Sequence, residues 1–244
     1  MNYSLNWGVF FAKASTNETY LDWLIAGFKV TVALGLCSCV IALALGTVFG
    51  VCRSVPSKTA NAIGAAYVEL FRNVPLLVQL FIWYFVVPEL LPDSVGDAIK
   101  NSNPVVQQFL AAVFCLGTFT AARVAEQVRS GLNSLPSGQR NAGLTMGFTL
   151  TQTYRFVLLP VAFRVIVPPL TSETLNVFKN SAVASTIGLL ELAAQGRQLV
   201  DYMAATYESF IAVTLAYMLI NVAIMRLMGW VEKRTRLPGF IGSK

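Results

Sequence analysis

Histidine is absent from this chain, which removes the imidazole general base and the commonest zinc ligand, and argues against catalysis. Charge is scarce. Eighteen Lys and Arg with twelve Asp and Glu make up 12% of 244 residues, too few to cover a soluble protein of this length. Cysteine is confined to Cys37, Cys39, Cys52 and Cys115, all in or beside apolar runs where free thiols act as small hydrophobes, so no disulfide or metal framework is indicated. No Gly-x-x-x-x-Gly-Lys-Ser/Thr run occurs. The chain therefore has no phosphate-cradling loop of its own, and any nucleotide must bind to a partner. The opening MNYSLNWGVFFAKAST lacks the basic segment and short apolar core of a signal peptide, so the first long apolar stretch is expected to remain as a span. Asn17-Glu18-Thr19 matches a glycosylation acceptor, a three-residue signal to which no role is assigned.

What is present is apolar. Hydrophobic residues make up 55% of the chain and mean hydropathy is +0.62, so much of the surface must face lipid. We expect an all-α, polytopic integral membrane protein, one domain over residues 1–244 with no linker. A helix needs about 20 mainly apolar residues to cross a bilayer. On that criterion about five spans are expected, near residues 24–51, 62–88, 105–128, 161–187 and 207–230. The second carries Pro75 and the fourth Pro168-Pro169. Both are expected to be broken or kinked there, facing protein or a watery path, because lipid cannot replace the lost backbone bonds. Phe81, Trp83, Tyr84 and Phe85 read as an interfacial belt rather than a binding box.

Net charge is +6. In a soluble chain that would raise nucleic-acid binding; here the cations sit at the ends of apolar runs and read as membrane topology. Arg53 and Lys58 join the first two spans, Arg129, Arg140 and Arg155 lie in the long polar segment, and Lys233, Arg234, Arg236 and Lys244 end the chain. These sides are expected in the cytoplasm. The link from Pro88 to Pro104 is acidic, with Glu89, Asp93 and Asp97 against Lys100, and the N-terminal segment has Lys13 as its clear loop cation. Both suit the outside, with the N-terminus periplasmic and the C-terminus cytoplasmic. Glu191, Arg197 and Asp201 fall in an expected short interfacial helix, either touching an external partner or resting on lipid.

The segment from Gln127 to Pro169 is a polar helical loop between apolar runs. Pro136 suits the first turn of a short helix, Gly147 the turn that ends it, and Thr149 the cap of a second helix running to Leu159. Asn141, Ala142 and Gly143 precede Gly147 and Leu158-Leu159-Pro160. This arrangement resembles the cytoplasmic coupling loop of bacterial ABC importer permeases, whose pattern is Glu-Ala-Ala, three residues, Gly, about nine residues and apolar-Leu-Pro. Asn141 and Gly143 depart from it, which a partner permease with the fuller motif would explain. VELFRNVPLLVQ, from Val68 to Gln79, and TAARVAEQVRSGLNSLP, from Thr120 to Pro136, resemble the polar amino-acid subfamily. Glu69, Arg72, Pro75, Gln79, Glu126 and Arg129 match, whereas Arg123 stands where many relatives carry Tyr.

The resemblance, running from about Tyr67 to Pro238, implies a type I ABC importer permease fold with a coupling loop near residues 130–160. By the same implication Asn141, Ala142, Gly143, Gly147 and Pro160 couple to an ATPase. Also implied are a second related permease, two ATP-binding subunits that hold ATP and magnesium, and a periplasmic solute-binding protein. The location is then the bacterial inner membrane, with no cofactor, metal or nucleic acid on this chain and no enzymatic activity of its own.

Ionisable groups inside spans are costly and usually face a bundle interior or solute path. Arg123 and Glu126 lie three apart on a helix, as do Glu69 and Arg72, spacings that serve mutual neutralisation or a ligand equally well. An extra cation at Arg123 suits a substrate with an extra carboxylate, which guanidinium binds bidentately, and matches glutamate and aspartate permeases by resemblance. Glu173, with Asn176 and Asn180 at i+3 and i+7, forms a polar stripe able to receive an α-ammonium, or Glu173 pairs with Lys179 or hydrogen-bonds across helices. Arg72, Arg123, Glu173 and Asn176 are therefore the candidate substrate contacts. The alternatives are a permease for neutral or basic amino acids, an ion-coupled secondary transporter, for which no internal hydropathy repeat is seen, and a membrane scaffold.

Overall fold

The computed structural model describes residues 5–235. Arg236 and Lys244, two of the cations assigned to the cytoplasmic end, lie outside them, as does Pro238. The described residues are helical, with no strand beyond one isolated bridge between Lys13 and Thr19. A short 3-10 helix at Trp7–Phe11 precedes α1 (Tyr20–Cys52), α2 (Lys58–Asn73) and α3 (Leu76–Phe81). A π-helical turn, Ile82–Val86, leads to α4 (Val87–Leu90), α5 (Asp93–Lys100), α6 (Pro104–Asn133), α7 (Ser137–Thr145) and α8 (Leu150–Gln152). A second π turn, Thr153–Leu158, joins α8 to α9 (Leu159–Asn180), which passes through a 3-10 turn at Ser181–Ile187 to α10 (Leu192–Met203) and α11 (Thr206–Thr235). Among the described residues four helices are long and apolar enough to cross a membrane, and a fifth crossing results if Lys58–Asn73 and Leu76–Leu90 count as one.

Proline behaves differently at each site. Pro75 forces Val74 to φ −93° and ψ 130°, ending α2 as expected. Pro88 and Pro160 each stand two residues beyond a π turn, whose wider ring moves the preceding carbonyls out of the way of the pyrrolidine. Pro168 and Pro169, by contrast, lie inside the uninterrupted α9. No break interrupts α9 there: Ile166, Val167 and Leu170 are buried on the same stretch, and that packing outweighs two missing backbone bonds. The fourth span also begins earlier than expected, because the π turn carries α8 straight into α9 and makes one run from Leu150 to Ile187.

Two compact units divide the chain. The first, residues 1–39, 75–117 and 176–223, corrects the reading of the segment after the fourth span. Glu191 is fully buried, not presented to a partner. It caps α10 by accepting the N–H groups of Ala193 and Ala194 at 2.9 and 2.8 Å, and it receives the Tyr217 hydroxyl at 2.8 Å. Thr31 Oγ1 accepts the Leu192 N–H at 3.1 Å, and Gly27 lets α1 close on α10, since a Cβ there would stand 3.0 Å from Leu192 Cα. Only Arg197 and Asp201 of the expected charges are exposed, so α10 is a packed element with one exposed face. The aromatic cluster divides: Phe81 and Phe85 are exposed, while Trp83 stacks on Phe114 at 5.5 Å and, with Tyr84, lines an apolar cavity of about 400 Å³.

The second unit comprises residues 40–74, 118–175 and 224–244. Its core joins Ala42, Val124, Val128, Leu132, Ala162, Ile166 and Leu170. Gly46 and Gly50, one turn apart on α1, allow close approach to α6; a Cβ on Gly50 would stand 2.6 Å from Val128 Cβ and 2.8 Å from the Ala125 carbonyl oxygen. Overpacking of this kind costs about 1–3 kcal/mol. Gly50→Leu should therefore lower the melting temperature of the purified chain in detergent, and an unchanged melting temperature would contradict this packing.

Candidate functional site

Within the second unit, α2, α6 and α9 enclose a polar cavity of about 340 Å³ lined by Arg72, Arg123, Glu126, Gln127 and Glu173. Three of the four expected substrate contacts thus meet. The fourth, Asn176, is not part of the lining. α6 supplies the most side chains because Ala121, Ala122, Val124, Ala125 and Val128 bury the rest of its circumference, leaving Arg123, Glu126 and Gln127 for the polar side.

The ion pairs differ from both spacings weighed above. Glu126 does not pair with Arg123: its Oε1 receives Arg53 Nη1 and its Oε2 receives Arg129 Nε at 3.0 Å. Arg72 is not bound to Glu69, and its Nη1 lies 3.8 Å from Glu126 Oε1. Glu173 is not bound to Lys179, which is exposed; its Oε2 lies 3.9 Å from Arg123 Nη1. Both lining arginines are thus held near a carboxylate at charge-contact distance without a hydrogen bond. Glu173 is the buried member of its pair, 14% exposed against 43% for Arg123, and its Oε2 has no hydrogen-bond partner. Arg123 also lies over the Phe119 ring, 5.0 Å from its centroid.

Charge then sums simply. Both oxygens of Glu126 are taken by Arg53 and Arg129, so the charges of the lining left for a ligand are two guanidinium groups, Arg72 and Arg123, and one carboxylate, Glu173. Arg53 was read from the sequence as a loop cation alone, and Gln127 was not singled out. Arg53 reaches Glu126 across 73 positions, so spacing carried no signal of it; its place at the end of an apolar run, facing a conspicuous Glu, was the available hint. Burial lowers the pKa of Arg53, the Arg129 charge acts in the same direction, and Glu69 opposes them. It remains a cation because guanidinium is by far the most basic side chain.

The other expected site is a helical hairpin at residues 137–160. α7 ends in a Schellman turn: Phe148 N–H donates to Gly143 O at 3.1 Å and Gly147 N–H to Leu144 O at 3.0 Å, with Gly147 at φ 85°. Thr149 opens α8 with a capping box, its Oγ1 accepting Gln152 N–H at 3.2 Å while Gln152 Oε1 accepts Thr149 N–H at 2.8 Å. Gly143 replaces the alanine of the coupling pattern for a local reason. A Cβ there would stand 2.8 Å from Thr153 Cγ2. Asn141 and Ala142 are exposed, as is Pro160 beyond the π turn, and Leu144, Met146 and Phe148 form an exposed apolar tip. Tyr154 donates to Ser54 O at 2.7 Å, tying the hairpin to the α1–α2 connection.

The chain is similar to known proteins over its length. The family described as "Binding-protein-dependent transport system inner membrane component" matches residues 42–237. The glutamate/aspartate import permease protein GltJ of Escherichia coli strain K12 is 55% identical over 246 residues, covering all of both chains. The probable glutamine ABC transporter permease protein GlnM of Bacillus subtilis is 32% identical over 88% of this chain and 92% of its own. Among solved structures, the "Crystal structure of an amino acid ABC transporter with histidines" superposes with a TM-score of 0.72 at 26% identity, over 88% of this chain and 95% of that one.

Proposed function

Because the chain belongs to the family of binding-protein-dependent transport system inner membrane components, we propose that it is the permease subunit of an ABC importer moving glutamate and aspartate by alternating access. The observation that carries the substrate class is the charge count of the cavity. Two guanidinium groups and one carboxylate are the complement of an amino acid with two carboxylates and one ammonium. Arg123 takes the side-chain carboxylate, Glu173 the ammonium, and Arg72 the α-carboxylate. The full-length identity to GltJ supports the same substrates. ATP and magnesium bind to partner subunits, which dock on the apolar tip of the α7–α8 hairpin, and a solute-binding protein delivers the substrate. A second, related permease completes the membrane part, supplying the Glu-Ala-Ala pattern that Asn141 and Gly143 depart from here.

Co-expression tests the class. Glutamate uptake in cells lacking their own system should require both this chain and an ATPase subunit. Uptake by this chain without any ATPase would contradict the proposal and favour an ion-coupled carrier.

The orientation is read from the basic residues, with the α7–α8 hairpin cytoplasmic and the N-terminal segment outside. Ser15 is exposed, and a side chain at Gly138 meets nothing within 4 Å. In a chain whose four cysteines are replaced by Ser, Ser15→Cys should react with an impermeant maleimide in spheroplasts, and Gly138→Cys only after lysis. The reverse pattern would overturn the topology.

A further inference from the structure

Glu126 lines the cavity yet is no free acceptor there. Both of its oxygens are taken, Oε1 by Arg53 and Oε2 by Arg129. Arg53 is fixed from several sides: its side chain is 16% exposed, its carbonyl accepts Asn61 Nδ2 at 3.0 Å, and a Cβ on Gly64 would stand 2.5 Å from its Cγ. Arg72 is the loose member. It is 53% exposed and lies 3.8 Å from Glu126 Oε1, too far for a hydrogen bond. Arg72 can therefore leave without costing Glu126 either of its hydrogen bonds.

Resting on the acidic amino-acid reading above, we infer that Glu126 is a positioning residue that stands in for the substrate's α-carboxylate, holding Arg72 at the cavity wall and yielding it when substrate arrives. Three guanidinium groups stand around one carboxylate, so the exchange leaves Glu126 its two hydrogen-bonded cations. The substrate brings a second anion to a cluster that already has two cations to spare. With Glu126 in place, Arg72 is also kept from stray anions, because an incoming group must displace a resident charge rather than meet a bare one.

Removing that charge should make binding tighter, which a scaffold role does not predict. Binding of radiolabelled glutamate and glutamine is measured on the assembled permease–ATPase complex in nanodiscs, without the solute-binding protein. Glu126→Gln should tighten both about two- to fivefold, the worth of a half-exposed ion pair, with their ratio unchanged because the α-carboxylate is common to both. Uptake at saturating substrate should fall, since release slows. The double variant Arg53→Gln/Glu126→Gln removes both charges and leaves no buried guanidinium unpaired, so it should assemble and show the same tightening. Unchanged or weaker binding in either assembled variant overturns the inference, and so does failure of both to assemble, which would give Glu126 a structural role. A shifted glutamate-to-glutamine ratio in an Arg123 variant beside unchanged binding in Glu126→Gln would sink this inference alone. No ratio shift at Arg123 would sink the substrate assignment instead.

Discussion

Gly147→Val should abolish most ATP-driven uptake while leaving the complex assembled. Gly147 sits at φ 85°, and a Cβ there meets nothing within 4 Å, so the demand is on the backbone alone. For an L-residue the left-handed region costs about 1–2 kcal/mol, most for a β-branched side chain. The Schellman bonds from Phe148 and Gly147 that close α7 would be weakened by roughly that amount, an about tenfold shift towards an open turn. An open turn cannot pass movement of a docked ATPase into α9 as a rigid body. Gly147→Asn, which tolerates the left-handed region, should retain most uptake. The measurement is glutamate uptake and stimulated ATP hydrolysis on the same purified complex. Normal coupling in an assembled Gly147→Val complex would contradict the role given to the hairpin.

Arg123→Tyr should change which amino acids pass. A charge-assisted hydrogen bond is worth about 1.5–3 kcal/mol; with Arg123 43% exposed the lower end applies, so glutamate transport should fall about tenfold. Glutamine, which lacks the side-chain carboxylate, should lose much less. The nearest anion to Arg123 is Glu173, not Glu126, so the compensating change is Glu173→Gln. If Arg123 served only to balance Glu173, the double variant would regain glutamate transport. On the present account it does not, because both substrate contacts are then gone. Equal losses for glutamate and glutamine in a well-assembled Arg123→Tyr complex would remove the selectivity role.

Features set by local chemistry were legible in advance. The left-handed Gly147, the Thr149 cap, the break at Pro75 and the apolar spans each follow from a few neighbouring residues. The convergence of Arg72, Arg123 and Glu173 was also anticipated, because a charge in a span has few tolerable places to go. The rest depended on contacts outside the segment concerned: the buried flanks on α9 at Pro168-Pro169 and the α10 cap with Tyr217 at Glu191, while the choice the spacing of Arg123 and Glu126 left open is made by Arg53, 73 positions from Glu126. Asn176 was grouped with Glu173 by helical spacing, but a cavity is shaped by the helices opposite as well as the one that carries the stripe. The π turns before Pro88 and Pro160 left no pattern in apolar periodicity, since each adds one residue to a turn.

On the function proposed above, acidic amino acids pass because Arg72, Arg123 and Glu173 are the lining charges left for a substrate, Glu126 being held by Arg53 and Arg129. Competition in proteoliposomes tests it most directly. The complete importer is reconstituted with ATP on the cytoplasmic side and no ion gradient, and labelled glutamate uptake is challenged with excess aspartate, glutamine or lysine. The account predicts ATP-dependent accumulation that aspartate suppresses and that glutamine and lysine scarcely affect. Equal suppression by glutamine or lysine, or accumulation without ATP, would contradict it.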